Sequence, residues 1–304
     1  MKRFPDKARV CFVGDSITHN GCYLKHIFYN YRKQFPKSGV EFYNCGISGG
    51  NLGNTIAVYE RDVAIYDPTH IVLMIGVNDS RRNLLEEQER SPERYALLVE
   101  AYRQYGENLE RFYQMTRKRS IELTLCTPMP YAEYMESDEA PLRAGYALIQ
   151  GYAAFVRDFA RSHGLALCDY HAAVTEYMQG ESLYNSDRVH PTERGHELMA
   201  KTFLAMQGIE MQSPECFGEK IEEWYDKTHR LRNVIAAEYF MLPEYAAMTD
   251  EERIIAMADI HEKIMSGLRE TTPYFKSLVE AYPKNKPHEA QLIEWLKGFM
   301  KEKT

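Results

Sequence analysis

The sequence has no apolar run approaching the ~18–20 residues that a membrane-spanning helix needs. Its opening, MKRFPDKARVCFVGDS, is basic, but the apolar stretch is short and is broken by Gly14 and Asp15, so a secretory leader is not expected. Basic excess is also missing. Lys and Arg total 37 against 44 Asp and Glu, a net charge of −7, which argues against a nucleic-acid partner. The six cysteines form no C-x-x-C pair and no compact disulfide framework, so free and mostly buried thiols are expected. There is no H-E-x-x-H, Cys and His do not cluster, and no Walker A or G-x-G-x-x-G run follows a candidate strand. Neither a metal nor a nucleotide cofactor is therefore indicated. Internal repeats and low-complexity tracts are absent too. These absences together predict a cytoplasmic protein with no membrane, nucleic-acid or cofactor partner.

What remains is ordinary for a globular chain. The 304 residues are 44% hydrophobic and 27% charged, and the length allows one large domain or two smaller ones. Residues 1–206 alternate short apolar runs with longer helical patterns. Candidate strands are 8–13, 40–45, 70–75, 121–126 and 165–168, nearly continuous apolar runs of the kind found in strands covered on both faces. Helical patterns lie near 22–35, 52–66, 92–118, 142–163 and 193–206, with Ser91-Pro92 as a helix start. Such alternation implies a three-layer α/β/α sandwich with a five-stranded parallel sheet in flavodoxin-like order. After residue 207 the alternation stops. Helical patterns near 218–241, 250–268 and 288–302, the second with a capping box at Thr249 and Glu252, predict a helical extension over 207–304. Its apolar stripes suit packing on the α/β domain or on a second subunit in a homo-oligomer.

In open parallel sheets ligands bind at the carboxyl ends of the strands. The segments there are Gly14-Asp15-Ser16-Ile17-Thr18 after the first strand, Asn44 through Gly50 after the second, and Gly76-Val77-Asn78-Asp79 after the third. Far downstream lies Asp187-Arg188-Val189-His190-Pro191. These residues supply the parts of acyl transfer. A serine hydroxyl needs an adjacent base. His190 can serve as that base, and Asp187 can reach its imidazole within one turn and fix the tautomer. Backbone N–H groups of Ser16 and Gly49, with the Asn78 amide, can donate to an oxyanion. Asp15 reads more simply as a helix N-cap or turn residue, and Thr192 as the N-cap of the helix after His190.

The four segments, in this order, resemble the SGNH superfamily of GDSL-type esterases and lipases over about residues 8–206. The resemblance implies Ser16 as nucleophile, His190 as base, Asp187 as the orienting acid, and Ser16, Gly49 and Asn78 as oxyanion donors. The first block continues Ile17-Thr18 where the family pattern has Leu, a version similar to members acting on small esters and acylated sugars. The implied activity is hydrolysis of carboxylic esters without cofactor, with small O-acyl groups on a carbohydrate or other small molecule as substrate. Short-chain lipid esters, thioesters, acyl transfer to an alcohol, and a non-catalytic binding role stay open. Gly46-Ile47-Ser48-Gly49-Gly50 also fits the G-x-S-x-G elbow of α/β-hydrolases, but only one candidate strand precedes 40–45. Ser48 is expected instead to hold the Gly49 turn by a local hydrogen bond. His19, Asn51, Tyr131 and Tyr134 are candidate substrate-lining residues, the tyrosines on a loop after the fourth strand, and Asn20 lies near enough to the first motif to line the pocket too.

Overall fold

The computed structural model describes residues 2–81, 83–86, 92–139, 142, 144–177 and 183–240. The chain divides into a compact unit of residues 1–232 and a second unit of residues 233–304. Of the second unit only 233–240 are described, as the end of a helix. The helical patterns at 250–268 and 288–302, the Thr249 capping box and Ser91 lie outside the described residues.

The strands are β1 (Arg9–Gly14), β2 (Glu41–Gly46), β3 (His70–Met74), β4 (Glu122–Cys126) and β5 (Ala166–Cys168). All pair in parallel in the order β2-β1-β3-β4-β5. Each lies within a residue of the place its apolar run predicts. The chain leaves β1 toward β2, then crosses to β3 on the other side, so the switch of direction opens a crevice above β1 and β3. Gly14 pairs with both Gly46 and Met74, and these residues mark the carboxyl edge on which the motif loops sit.

The helices are α1 (Ser16–Asn20), α2 (Cys22–Gln34), α3 (Leu52–Ala57), α4 (Tyr59–Asp62), α5 (Asn83–Glu86), α6 (Pro92–Lys118), α7 (Gly145–His163), α8 (Tyr170–Tyr177), α9 (Glu193–Met206) and α10 (Glu219–Phe240), with a 3-10 turn at Ala64–Tyr66. Side chains alternate across the sheet. On one face the Phe12 ring meets Tyr23 of α2, Phe203 of α9 and Phe42 of β2, with centroids 5.6–6.3 Å apart. On the other, Cys11 lies under the backbone of Val63, and Tyr59 and Phe112 join α4 to α6. Cys11, Cys45, Cys126 and Cys168 are buried in strands, and all six thiols are free.

The 52–66 pattern does not form one helix. Val58 leaves helical geometry (φ −109°, ψ 10°) and splits it into α3, α4 and the 3-10 turn; β-branched Val58 and Val63 favour such a break. The helix expected from 142 begins at Gly145. There Ala144 is left-handed, and the Glu133 carboxylate accepts from the Ala144 and Tyr146 N–H groups at 2.6 and 3.0 Å.

Residues 207–232 belong to the first compact unit. Trp224 of α10 donates its indole N–H to the Phe42 carbonyl at 3.1 Å and packs on Phe28 with centroids 4.7 Å apart. Lys25 of α2 pairs with Glu222 at 2.6 Å. Among the described residues no helix is long and apolar enough to cross a membrane.

Candidate active site

Ser16 is the first residue of α1, immediately beyond β1 and its Asp15 cap. The Asp15 carboxylate accepts the Ile17 N–H at 3.0 Å, which satisfies one of the orphan donors of the helix start. Burial pushes the Asp15 carboxyl up to about 6, against the Ile17 hydrogen bond and the His190 charge. Close packing of α1 on the end of β2 requires glycine at 46, where a Cβ would stand 2.2 Å from the His19 nitrogen. Asn44 fastens the same contact: its side chain donates to the His19 carbonyl at 3.1 Å and accepts from Gly46 N at 2.9 Å.

The opposing loop is folded by its own backbone. Leu183 accepts from Thr192 N, and Asn185 donates to the His190 carbonyl, both at 2.9 Å. Thr192 caps α9 by accepting from Gly195 N at 3.4 Å. Within this loop Arg188 adopts φ +63°, unusual for a residue with a Cβ. Its buried guanidinium donates to the carbonyls of Met135, Ser137 and Glu139, each at 2.9 Å. The turn so held brings Asp187 under His190. One Asp187 oxygen accepts from the His190 and Val189 N–H groups at 2.9 and 3.0 Å, and the other accepts from His190 Nδ1. Burial alone would raise the Asp187 carboxyl. The hydrogen bonds from the His190 ring and from the two backbone amides outweigh it and hold the group below its ordinary value. With Nδ1 protonated toward Asp187, His190 Nε2 is the acceptor, and it lies 2.7 Å from Ser16 Oγ.

On the other side of Ser16 the second and third motifs are stitched together. Gly49 is exposed with φ +67°, a conformation glycine adopts without strain. Gly50 N closes the turn on the Ile47 carbonyl at 2.9 Å. Asn78 donates to the Gly50 carbonyl at 2.9 Å, and Asp79 accepts from Leu52 N, the first residue of α3, at 3.0 Å. The other Asp79 oxygen is buried with no partner. Burial, with the Asp15 charge adding, pushes this carboxyl up to about 7 against the Leu52 hydrogen bond. Among the described residues neither Ser16 N nor Gly49 N donates to a backbone carbonyl.

A cleft of about 330 Å³ opens beside Ser16 and His190, walled by Ile17, His19 and Asn20 of α1, Asn185, Asp187 and Pro191 of the opposing loop, His196 of α9 and His229 of α10. Burial, reinforced by the charges of His26 and His190, lowers His196 to about 3, and burial also lowers His229. Of the expected lining residues, His19 is in this wall. Asn51 instead caps α3, accepting from Asn54 N at 2.9 Å. Tyr131 is buried, with its hydroxyl donating to the Val77 carbonyl at 2.8 Å and 2.9 Å from Ser80 Oγ. Tyr134 is 85% exposed. Neither tyrosine lines the cleft. The Ser48 hydroxyl makes no hydrogen bond among the described residues, and the Gly49 turn is held instead by the Gly50 N–H on the Ile47 carbonyl and by the Asn78 amide on the Gly50 carbonyl. Asn20, which adjoins the first motif, is in the wall as well, and Asn185 and His196 flank the motifs closely enough to have been found by proximity. His229 carries no such signal.

Residues 12–198 match the family model of the GDSL-like lipase/acylhydrolase family. The chain is 28% identical over 221 residues to the acetylxylan esterase of Geobacillus stearothermophilus, covering 66% of this chain and 94% of that protein. The crystal structure of the acetylxylan esterase Axe2 from the same organism superposes with a TM-score of 0.57 at 25% identity, covering 70% of this chain and all of that one. LAE5, an α/β hydrolase from the metagenome of Lake Arreo, Spain, gives 0.54 at 26% identity over 67% of this chain and 97% of that one. BT4096, a gut microbial diltiazem-metabolizing enzyme, gives 0.58 at 25% identity over 68% of this chain; the match spans about half of BT4096 (48%). The parallel sheet, the ordered motif loops on its carboxyl edge and a family match over more than half of the sequence agree: the chain belongs to the GDSL-like lipase/acylhydrolase family, among the SGNH hydrolases, and is an ester-hydrolysing enzyme.

Proposed function

We propose that the enzyme removes small O-acyl groups, acetyl foremost, from carbohydrates or comparable small molecules, with Ser16, His190 and Asp187 as its catalytic residues. The observation that carries this reading is the continuous path from Ser16 Oγ through the His190 ring to the Asp187 carboxylate. Similarity to an acetylxylan esterase supports acetyl as the acyl group and carbohydrate as the carrier.

Ser16 Oγ attacks the acyl carbon as its proton passes to His190 Nε2, and the Asp187 carboxylate stabilises the imidazolium. The carbonyl oxygen becomes an oxyanion facing the Ser16 and Gly49 N–H groups and the Asn78 amide. One N–H of that amide is used on Gly50 and the other is left for the oxyanion. His190 then protonates the leaving alcohol oxygen, the ester bond breaks, and an acyl-Ser16 ester remains. Water, deprotonated by His190, attacks that ester, the acyl–Oγ bond breaks, and His190 returns the proton to Ser16 Oγ as the carboxylic acid leaves.

Incubation of the parent and Ser16→Ala with p-nitrophenyl acetate tests the assignment. The variant is expected to lose at least ~10³-fold in kcat. Equal release by both proteins would remove Ser16 from the mechanism.

A further inference from the structure

The family segment ends at residue 198, yet the cleft beside Ser16 has a wall from α10, which begins at Glu219. His229 is that wall. Its ring stacks on Tyr225, with centroids 5.6 Å and planes 13° apart, and meets the edge of His19 at 5.5 Å. Tyr225 is held in turn, its hydroxyl 3.3 Å from Cys22 Sγ and its ring 4.9 Å beneath Lys25 Nζ. With Trp224 bonded to the Phe42 carbonyl, the position of His229 is fixed by contacts to α2 and β2.

The chemistry of the proposed reaction says which part of an ester this wall meets. The oxyanion points to the donors at Ser16, Gly49 and Asn78, whereas the leaving oxygen must reach His190 Nε2 to be protonated. The cleft is lined by His190 and its neighbours and by neither Gly49 nor Asn78, so it lies on the leaving-group side. No Lys or Arg is among its lining residues, and its one carboxylate, Asp187, is taken by His190. It offers no charge to a phosphate-bearing or a quaternary-ammonium leaving group. It does offer amides at Asn20 and Asn185 and the imidazole of His229, short-reach partners for hydroxyl groups. Its volume is near the lower end of the range for small-molecule pockets.

Resting on the acyl-hydrolase reading above, we infer that α10, through His229, builds a leaving-group subsite for one uncharged, polyhydroxylated ring. His229 is then a specificity-determining residue, and the chain that follows the family segment contributes to substrate choice as well as to folding.

The test compares kcat/KM for an acetylated monosaccharide and for p-nitrophenyl acetate, whose leaving group has no hydroxyls to bind, in the parent, His229→Ala and His229→Gln. His229→Ala is expected to lose about tenfold more on the sugar ester than on the aryl ester, as lost hydrogen bonding to a substrate hydroxyl requires, with the difference in KM. His229→Gln, which keeps an N–H donor, is expected to recover most of the ratio. An unchanged ratio in His229→Ala, or equal recovery failure in both variants, overturns the inference. So does a parent that cleaves p-nitrophenyl acetate but not the sugar ester, and in that case the catalytic assignment stands. A parent inert on both esters overturns the catalytic assignment and the inference with it.

Discussion

Asn78 donates its side-chain amide to the carbonyl of Gly50 at 2.9 Å, so the loop after β3 holds the loop after β2 in the shape that exposes the Gly49 N–H. In the mechanism proposed above, one residue thereby both positions one oxyanion donor and supplies another. Asn78→Ala is expected to lower kcat for p-nitrophenyl acetate by ~10²–10³-fold with little change in KM. Steady-state kinetics checks this, and a loss confined to KM would assign Asn78 to binding.

Asp79 gives a stability prediction with a definite sign. Its folded carboxyl titrates near 7, above its unfolded value. The stability tied to the bound proton is therefore present at low pH and is lost as pH rises toward and through 7. Asp79→Asn keeps an oxygen for Leu52 N and removes the buried ionisation. Denaturant unfolding is expected to show the variant gaining on the parent by on the order of 2–4 kcal/mol between pH 4 and pH 8. A parallel pH dependence of the two proteins would contradict it.

Arg188 stands between the two residues that the Asp187–His190 turn must present, in a left-handed conformation and with three carbonyls on its guanidinium. Arg188→Ala is expected to cost on the order of 2–4 kcal/mol, because buried carbonyls lose their donor. Arg188→Gly is expected to cost about 1 kcal/mol less, since glycine carries no penalty at that φ. Chemical denaturation of the pair checks the order, and a glycine variant less stable than the alanine one would refute the strain argument.

Much of this organisation is legible in the residues. The strands announce themselves because both faces of each are buried, which leaves unbroken runs such as Val10 to Val13. The short helices do not: α1 has five residues and α8 eight, too few for a 3.6-residue period to stand out. The end of α3 is set by Val58, and the start of α7 by a distant Glu133, neither of which has a periodic signature. The motif residues of the first three segments could be found because they directly follow strands, whereas Asp187 and His190 follow none and are legible from their spacing. Tyr131 follows a strand too but turns inward, its hydroxyl held by the Val77 carbonyl and Ser80, partners that strand position alone does not reveal. His229 reaches the cleft only through the docking of α10, which local sequence does not encode.

That docking also predicts the outcome of truncation. Trp224 and Met211 pack against the buried core, and Ile209 is part of it. Removing residues 210–304 strips Trp224 from Phe28 and Phe42. The shortened chain is expected to be insoluble, or to unfold at much lower denaturant than the parent. A soluble truncation with parental stability and activity would show that α10 is dispensable to the fold.

The decisive measurement is covalent. An organophosphonate ester that traps active serines should modify the parent once, and peptide mass spectrometry should place the adduct on Ser16, with loss of esterase activity in proportion to labelling. An adduct on Ser48, or full activity retained by stoichiometrically labelled protein, would contradict the account.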